Sequence, residues 1–360
     1  MLGLKKFIRN TVVASGSSTI TSTQPSPVNI SDNWLVGNLT YESLCLNFYG
    51  ALDLVATAAG AIVERGALRF LRELNFSTDK HGRIIDRLDG ITLHNLQTVR
   101  GGRRPVAVDI DDSVTGTPSF EVALKFDFFD RRAARPEDTV LDMLISRPEL
   151  SLQYGIPQST ANGDMIVGGT YTTVECDSLT QEVHVKANPG PVDGPKEGPV
   201  SVPYWGILKY PINSTVTQQQ IGLSYGDRGI KRLYITQRNG TTLAELANTV
   251  IGANRTDRLS LNLNGFRFID SIQWTALQNE NAGDYNLDSM PPGMAVLDFA
   301  PDRTGGYRLS NILNALTNIQ GTLELLADVT SVTNGQLWII YEAVKPIPSG
   351  ALRPAAAAGA

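Results

Sequence analysis

From Trp34 onward the apolar residues fall on every second position in short runs, and each run is bounded by Gly, Pro, Asn or Asp. In SLCLNF, Leu44, Leu46 and Phe48 share one face, and ALDLVAT continues the same alternation. Side chains alternate across a strand, so this pattern predicts half-buried β-strands. LRFLRELNF, PVAVDID, FEVALKFDFF, LSLQYG and TYTTVEC repeat it. One segment reads differently. In EDTVLDMLIS, residues 137–146, Asp138 offers a cap, Val140, Leu141 and Leu144 fall on one side of a helix, and Pro148 closes it.

The second half of the chain repeats this order. VERGALRFLREL, residues 63–74, has an echo at YGDRGIKRLYIT, residues 225–236, each placing acid, Arg and Gly before a basic, alternating run. IKRLYITQRNG then stands for LRELNFSTDKHG, and LSLNLNG for PVAVDID. MAVLDFAPDR stands for ALKFDFFDRR, so that Phe299 answers Phe128 and Arg303 lies near the place of Arg131. YRLSNILNAL answers TVLDMLIS, and GTLELLADV answers PELSLQYGI. Matched segments keep one order at offsets of roughly 160 to 175 positions, which predicts two copies of one domain.

Between the copies lies KANPGPVDGPKEGPVSVP, too rich in Pro and Gly for regular structure. The expected organisation is a basic arm and linker at 1–33, a first domain at 34–187, a linker at 188–203, a second domain at 204–345 and a tail at 346–360. Seven or eight short antiparallel strands per copy predict an all-β chain of two tandem eight-stranded jelly rolls, each with a short inserted helix late in the roll. An immunoglobulin-like sandwich fits less well, because its Cys, Trp, Cys arrangement is absent.

The first residues have their own pattern. On a helical wheel Leu4, Phe7, Ile8 and Val12 share a face while Lys5, Lys6 and Arg9 lie away from it, which predicts a short helix on an anionic membrane or a neighbouring subunit. Those charges and the polar run after them argue against a secretory signal. The Ser/Thr/Pro stretch from Ser15 to Pro27 reads as a linker.

Composition excludes more than it selects. A net charge of −5 lacks the cationic surplus that wrapping nucleic acid needs, so no direct nucleic-acid partner is expected. The two cysteines, Cys45 and Cys176, cannot make a disulfide framework and read as thiols. No run of about 18 apolar residues predicts a membrane-spanning helix. His81, His94 and His184 stand apart, and neither a metalloprotease motif, a nucleophile elbow nor a phosphate loop occurs. Asp109, Asp111 and Asp112 form the densest acid cluster, but they lack the spacing of a calcium loop and read as solvated acids at a strand end. Arg100, Arg103 and Arg104 read as a flexible basic loop that pairs with acids of a neighbouring subunit. No catalytic, cofactor-binding or metal-binding residue is expected.

The duplicated pattern from Trp34 to Val344 carries a resemblance. Its residues are LRFLRELNF with KHG, IKRLYITQRNG, FDFFDRRAARPEDTVLD leading to LSLQYG, and PPGMAVLDFAPDRTGGYRLSNIL. The chain resembles the double jelly-roll major capsid proteins of tailless icosahedral viruses with an internal membrane, the lineage of tectiviruses, corticoviruses and related bacteriophages, with adenovirus hexon a distant member. The resemblance implies two rolls standing side by side and a homotrimer forming a pseudo-hexameric capsomer of the virion shell. It also implies a structural protein without enzymatic activity, made in the host cytoplasm and resident in the viral capsid. Its partners would be itself, penton or vertex and minor capsid proteins, and the inner membrane at the N-terminal arm of Leu4, Lys5, Lys6, Phe7, Ile8, Arg9 and Val12. The alternative is a two-domain β-sandwich of the spike type that binds a receptor or glycan. That reading asks for exposed aromatics in loops, whereas Trp205, Trp274 and Trp338 fall in or beside strand-like runs.

Overall fold

The computed structural model of the chain describes residues 6–13, 27–30, 39–62, 65–101, 115–128, 141–142, 148–154, 166–189, 201–223, 228–239, 255–263, 265–299, 323–330 and 335–346. Its first half holds β1 (Lys6–Val13), β2 (Pro27–Ile30), β3 (Leu39–Ala58), the short β4 (Ala61–Ile62), the five-residue helix α1 (Gly66–Phe70), β5 (Leu71–Thr78) and β6 (Gly82–Leu88). Helix α2 (Gly90–Gly101), β7 (Ser119–Asp127), the short β8 (Leu141–Asp142), β9 (Pro148–Tyr154), the short β10 (Ile166–Val167) and β11 (Thr170–Pro189) complete that half. The second half holds β12 (Ser201–Ile212), β13 (Val216–Leu223), β14 (Gly229–Asn239), β15 (Arg255–Leu263), β16 (Phe266–Gln273), helix α3 (Trp274–Tyr285), β17 (Met294–Asp298), β18 (Leu323–Thr330) and β19 (Gly335–Pro346).

Among the described residues, setting the three short strands aside leaves eight strands in each half, and the two halves pair them identically. One sheet of the first half runs β1-β11-β3-β7, and the corresponding sheet of the second runs β12-β19-β14-β17. In both, the order is first, eighth, third, sixth. The facing sheets run β2-β9-β5-β6 and β13-β18-β15-β16, which is second, seventh, fourth, fifth in both. That order defines a jelly roll, so the chain is a double jelly roll. The rolls are joined edge to edge, because β6 of the first pairs in parallel with β12 of the second at Ile85 and Trp205. One eight-stranded sheet therefore crosses both rolls.

The period-two residues do what alternation dictates. Leu44, Leu46, Phe48, Leu52 and Leu54 of β3 are buried against Val122, Leu124, Leu74, Phe76, Leu150 and Leu152. Phe48, Phe70, Phe120 and Tyr154 contact one another at centroid distances of 5.3 to 6.4 Å, a packing that aromatic quadrupoles favour. The second roll closes over Leu233, Ile235, Leu259, Leu261, Leu325, Leu337 and Ile339.

Three expectations need correction. Lys6–Val13 is a strand, not an amphipathic helix: it pairs along its whole length with β11, and Pro27–Ile30 pairs with β9. The residues expected to form an arm and linker thus supply the first two strands of the first roll. KFIRNTVV ends in Thr and two Val, whose branched side chains favour a strand, and an antiparallel partner satisfies backbone groups that a lone helix leaves open at its ends. Leu4 and Lys5 lie outside the described residues.

Secondly, two residues at the centre of the first expected helix form a strand, and each roll carries a helix at a place the sequence did not mark. Leu141–Asp142 is a strand on Thr40 and Tyr41, while the rest of EDTVLDMLIS and all of YRLSNILNAL lie outside the described residues. Both rolls instead carry a twelve-residue helix directly after the fifth strand, α2 in the first and α3 in the second. Thirdly, the echo of residues 63–74 at 225–236 joins different strands, since LRELNFST is the fourth of its roll and GIKRLYITQRN the third. Every strand alternates, so a match by local pattern slips by one whole strand without penalty. The later pairs do coincide topologically: β7 with β17, so that Phe128 and Phe299 hold equivalent positions, and β9 with β18. PVAVDID, Arg131 and Arg303 lie outside the described residues.

The start of α2 is tightly fixed. A side chain at Gly90 would place its Cβ 2.1 Å from the Leu68 carbonyl oxygen of α1, whereas one at Gly101 would meet nothing within 4 Å. Gly90→Ala should therefore lower unfolding stability by about 1–3 kcal/mol, the usual cost of overpacking, and Gly101→Ala should leave it nearly unchanged. Paired denaturant titrations of the two variants check this.

Candidate functional site

Among the described residues, the densest polar chemistry sits where the two rolls meet. Helix α2 belongs to the first roll but lies against the outer face of the second roll's β14 and β19. Gly90 through Leu96, Thr98 and Val99 are all buried. Burial on every side explains why its sequence shows no clean apolar stripe: Thr92, His94, Asn95 and Thr98 are as enclosed as Ile91, Leu93, Leu96 and Val99.

Asp89 caps the helix, its Oδ1 accepting the Thr92 backbone N–H at 2.9 Å. Arg238, from the end of β14, donates to Asp89 Oδ2 at 2.7 Å and to Thr92 Oγ1 at 3.0 Å. The same guanidinium lies 3.9 Å from the ring centroid of Trp338, and the Lys209 ammonium lies 4.3 Å from it. Burial by itself would push the Asp89 carboxyl up, but Arg238 and the Thr92 hydrogen bonds outweigh it and hold the group below the usual aspartate range. Lys209 is moved down, chiefly by burial and against the pull of nearby acids.

At the other end of α2, Arg100 reaches Glu342 of β19 at 3.7 Å. Glu342 is 2% exposed and receives Lys231 at 3.1 Å, Arg232 at 3.3 Å and the Tyr234 hydroxyl at 2.7 Å. Arg232 also donates to Asp298 at 2.8 Å, and Tyr285 of α3 donates to the same oxygen at 2.8 Å. Arg100 further donates to the Asp127 carbonyl and lies 5.3 Å from the Trp205 ring and 5.8 Å from that of Phe126. Three cations and two carboxylates share this enclosed site. Burial, then the negative charge of Glu342, raises the Tyr234 hydroxyl well above its ordinary value, so it stays a donor.

Apolar packing runs through the same seam. Trp205 of β12 meets Phe126 of β7 edge-on at 4.7 Å, and Tyr234, Met294, Val296, Trp338 and Ile340 join the first roll's core although the second roll supplies them. Tyr204 of β12 donates to the His81 carbonyl in the turn between β5 and β6. The arrangement can hold two domains in one orientation. It presents no nucleophile beside a base, and among the described residues no group of three His, Cys, Asp or Glu could hold a metal.

Of the residues singled out from sequence, Arg100 is placed in this seam. It pairs with an acid of its own chain at the end of a buried helix, so for Arg100 the expected place in a flexible loop reaching a neighbouring subunit is corrected. Arg103, Arg104, Asp109, Asp111 and Asp112 lie outside the described residues. Lys6, Phe7, Ile8, Arg9 and Val12 lie in β1, on the first roll's edge, and do not enter the seam. His94 is buried in α2, His81 sits in a turn, and His184 lies in β11. Asp89, Arg238, Asp298 and Glu342 had not been singled out. A signal was present: Glu342 is the lone acid in the apolar strand WIIYEAV, and a charge in such a run marks a buried pair.

No family model matches the chain, and no curated protein matches it in sequence. Solved structures do. The STIV MCP matches with a TM-score of 0.63 at 14% identity, over 97% of this chain and 100% of that one. The major capsid protein P2 from bacteriophage PM2 gives 0.58 at 11% identity, over 96% and 99%. The Faustovirus major capsid protein gives 0.57 at 8% identity, over 96% and 90%. Identities this low establish a shared fold, and coverage of nearly every residue means both rolls are matched together.

The seam's pH response follows from its charges. The folded-state pKa of Asp89 is depressed, so its contribution is present above the unfolded value of about 3.9 and is lost as pH falls through the lower folded value. Asp89→Asn should cost about 3–5 kcal/mol at pH 7, because Arg238 keeps its burial and loses its anion. Between about pH 4 and pH 2 the variant should lose less further stability than the parent. Denaturant midpoints measured at pH 7, 4 and 3 check both signs.

Proposed function

We propose that the chain is a structural capsid protein, the building block of an icosahedral virion shell, and that it works as a homotrimer. One observation carries this reading: two rolls of identical strand order are fused edge to edge in one chain, and solved major capsid proteins match that whole double unit end to end. A chain with two like domains lets three copies close a ring of six like units, which fills a six-coordinated lattice position with few kinds of contact. Penton or vertex proteins and minor capsid proteins would occupy the remaining positions, and the virion capsid is the protein's place of residence. No catalytic role is proposed.

The shell would enclose a membrane, with one end of the rolls turned inward. The pairing registers gather at one end the Lys6 end of β1, the Pro346 end of β19, and the turns after β5 and β15. Those turns expose Lys80, Arg83 and Arg267, the two arginines paired with Asp86 and Asp270, and Phe266 is 72% exposed. Cations beside an exposed aromatic suit anionic headgroups over acyl chains. Of the N-terminal residues, Lys6 stands at this end as the first residue of the edge strand β1, which runs from there toward Val12.

Light scattering of the purified protein should give three times 39.0 kDa, with a six-lobed outline in negative stain. A stable monomer at high concentration contradicts the reading. For the membrane, co-sedimentation with vesicles should require anionic lipid and should weaken several-fold in Phe266→Ser. Equal binding to neutral vesicles, or none to either, removes the inward membrane from the account.

A further inference from the structure

The seam between the rolls is half of a repeating contact. Equivalent backbone positions can be fixed from hydrogen bonds. Phe128 N–H donates to the Glu42 carbonyl at 2.9 Å, as Phe299 N–H donates to that of Lys231 at 3.0 Å. Ser43 pairs with Asp127 as Arg232 pairs with Asp298. Tyr49 of β3 therefore occupies the position of Arg238 in β14, and Cys45 that of Tyr234. The helices obey the same symmetry. Gln97 of α2 accepts the Lys125 N–H at 3.0 Å, and Asn281 of α3 accepts the Val296 N–H at 2.7 Å. Asp89, Thr92, Leu96 and Val99 thus correspond to Gln273, Ala276, Glu280 and Gly283.

Burial breaks that symmetry. Asp89, Thr92, Leu96 and Val99 are all buried in the seam, whereas Gln273, Ala276, Glu280 and Gly283 are all exposed. The receiving strand shows the same contrast. Arg238 is fully buried, while its counterpart Tyr49 is 40% exposed and Val55, further along the same face of β3, is 50% exposed. These two are among only three large hydrophobic side chains exposed within the described residues. Gly283 adds a hint of its own: glycine is among the worst helix formers, and nothing in the chain lies within 4 Å of where its Cβ would be.

We propose that the exposed face of α3 docks on the outer face of β3 of a second copy of the chain, as α2 docks on β14 within one copy. The proposal rests on the trimer reading and names its contact: each copy's Gln273, Ala276, Glu280 and Gly283 against the next copy's Cys45, Tyr49 and Val55. The contact is head-to-tail, and with two rolls per chain it closes after three copies. Its chemistry differs from that of the inner seam for a physical reason. A contact within one chain never opens, so it tolerates buried ions such as Arg238 and Glu342. A contact between chains stands open before assembly, and Gln273 and Tyr49, in the places of Asp89 and Arg238, leave no buried ion pair to be stranded while it is open. The two seams are one geometry with two chemistries.

The test uses the full chain with Cys45→Ser, so that of the native thiols only buried Cys176 remains. Tyr49→Cys and Ala276→Cys in one chain, treated with a short bis-maleimide, should give covalent species up to three chains. Mixing the two single variants should give covalent dimers, and neither single variant alone should cross-link. Independently, Ala276→Arg, a change at an exposed position that spares the fold, should weaken association at least tenfold. A wild-type trimer without the cross-link, or an Ala276→Arg variant that assembles as the parent does, overturns this contact and leaves the trimer standing. A wild type that never forms a trimer overturns both.

Discussion

A buried charge is tolerated only where its partner is fixed, and the junction of the two rolls is organised around that constraint. Asp89 caps α2 and neutralises Arg238 at one end of the helix, and Arg100 meets Glu342 at the other. Both acids come with donors from the opposite roll, so neither roll can move without stranding a charge in a low-dielectric seam. Replacing such clusters by apolar residues of equal volume is often neutral for stability. What the cluster supplies is a single orientation, because apolar packing alone would tolerate slippage that Arg238 and Glu342 do not. The edge pairing of β6 with β12 and the contact of Trp205 with Phe126 then have one register in which to form.

That fixed orientation connects the fold to assembly. Two rolls of the same strand order, held side by side, present a helix at one flank and a sheet face at the other. The inner pair of these surfaces is consumed within the chain. The outer pair, α3 and β3, has Gln273 and Tyr49 in the places of Asp89 and Arg238. In the proposed shell role the inner surface never opens and the outer one forms only when subunits meet.

Much of the fold was legible in the residues. Alternation in β3, β5, β7, β9 and β18 follows from having one wetter and one dry face, and duplication followed from β7 with β17 and β9 with β18. What was hidden had specific causes. Helix α2 has no apolar stripe because every face is covered, with Thr92, Asn95 and Thr98 buried among its apolar residues, so its sequence does not mark a helix. Lys6–Val13 alternates weakly enough that its helical wheel looked more convincing than its strand, and only the partner β11 decides the matter. The seam was invisible for a related reason: Asp89 lies far from Arg238 in sequence, and Arg100 far from Glu342, and local pattern carries no information about such pairs. Glu342 inside WIIYEAV was the one available clue.

The most direct test of this account is a double-mutant cycle on Asp89 and Arg238, using Asp89→Asn and Arg238→Met singly and together. If this pair fixes the rolls, the single changes should each be costly and the double change should recover much of the loss, leaving a coupling of about 1.5 kcal/mol or more. Additive losses within about 0.5 kcal/mol would mean the two residues act independently, and the seam would then rest on its aromatic packing alone.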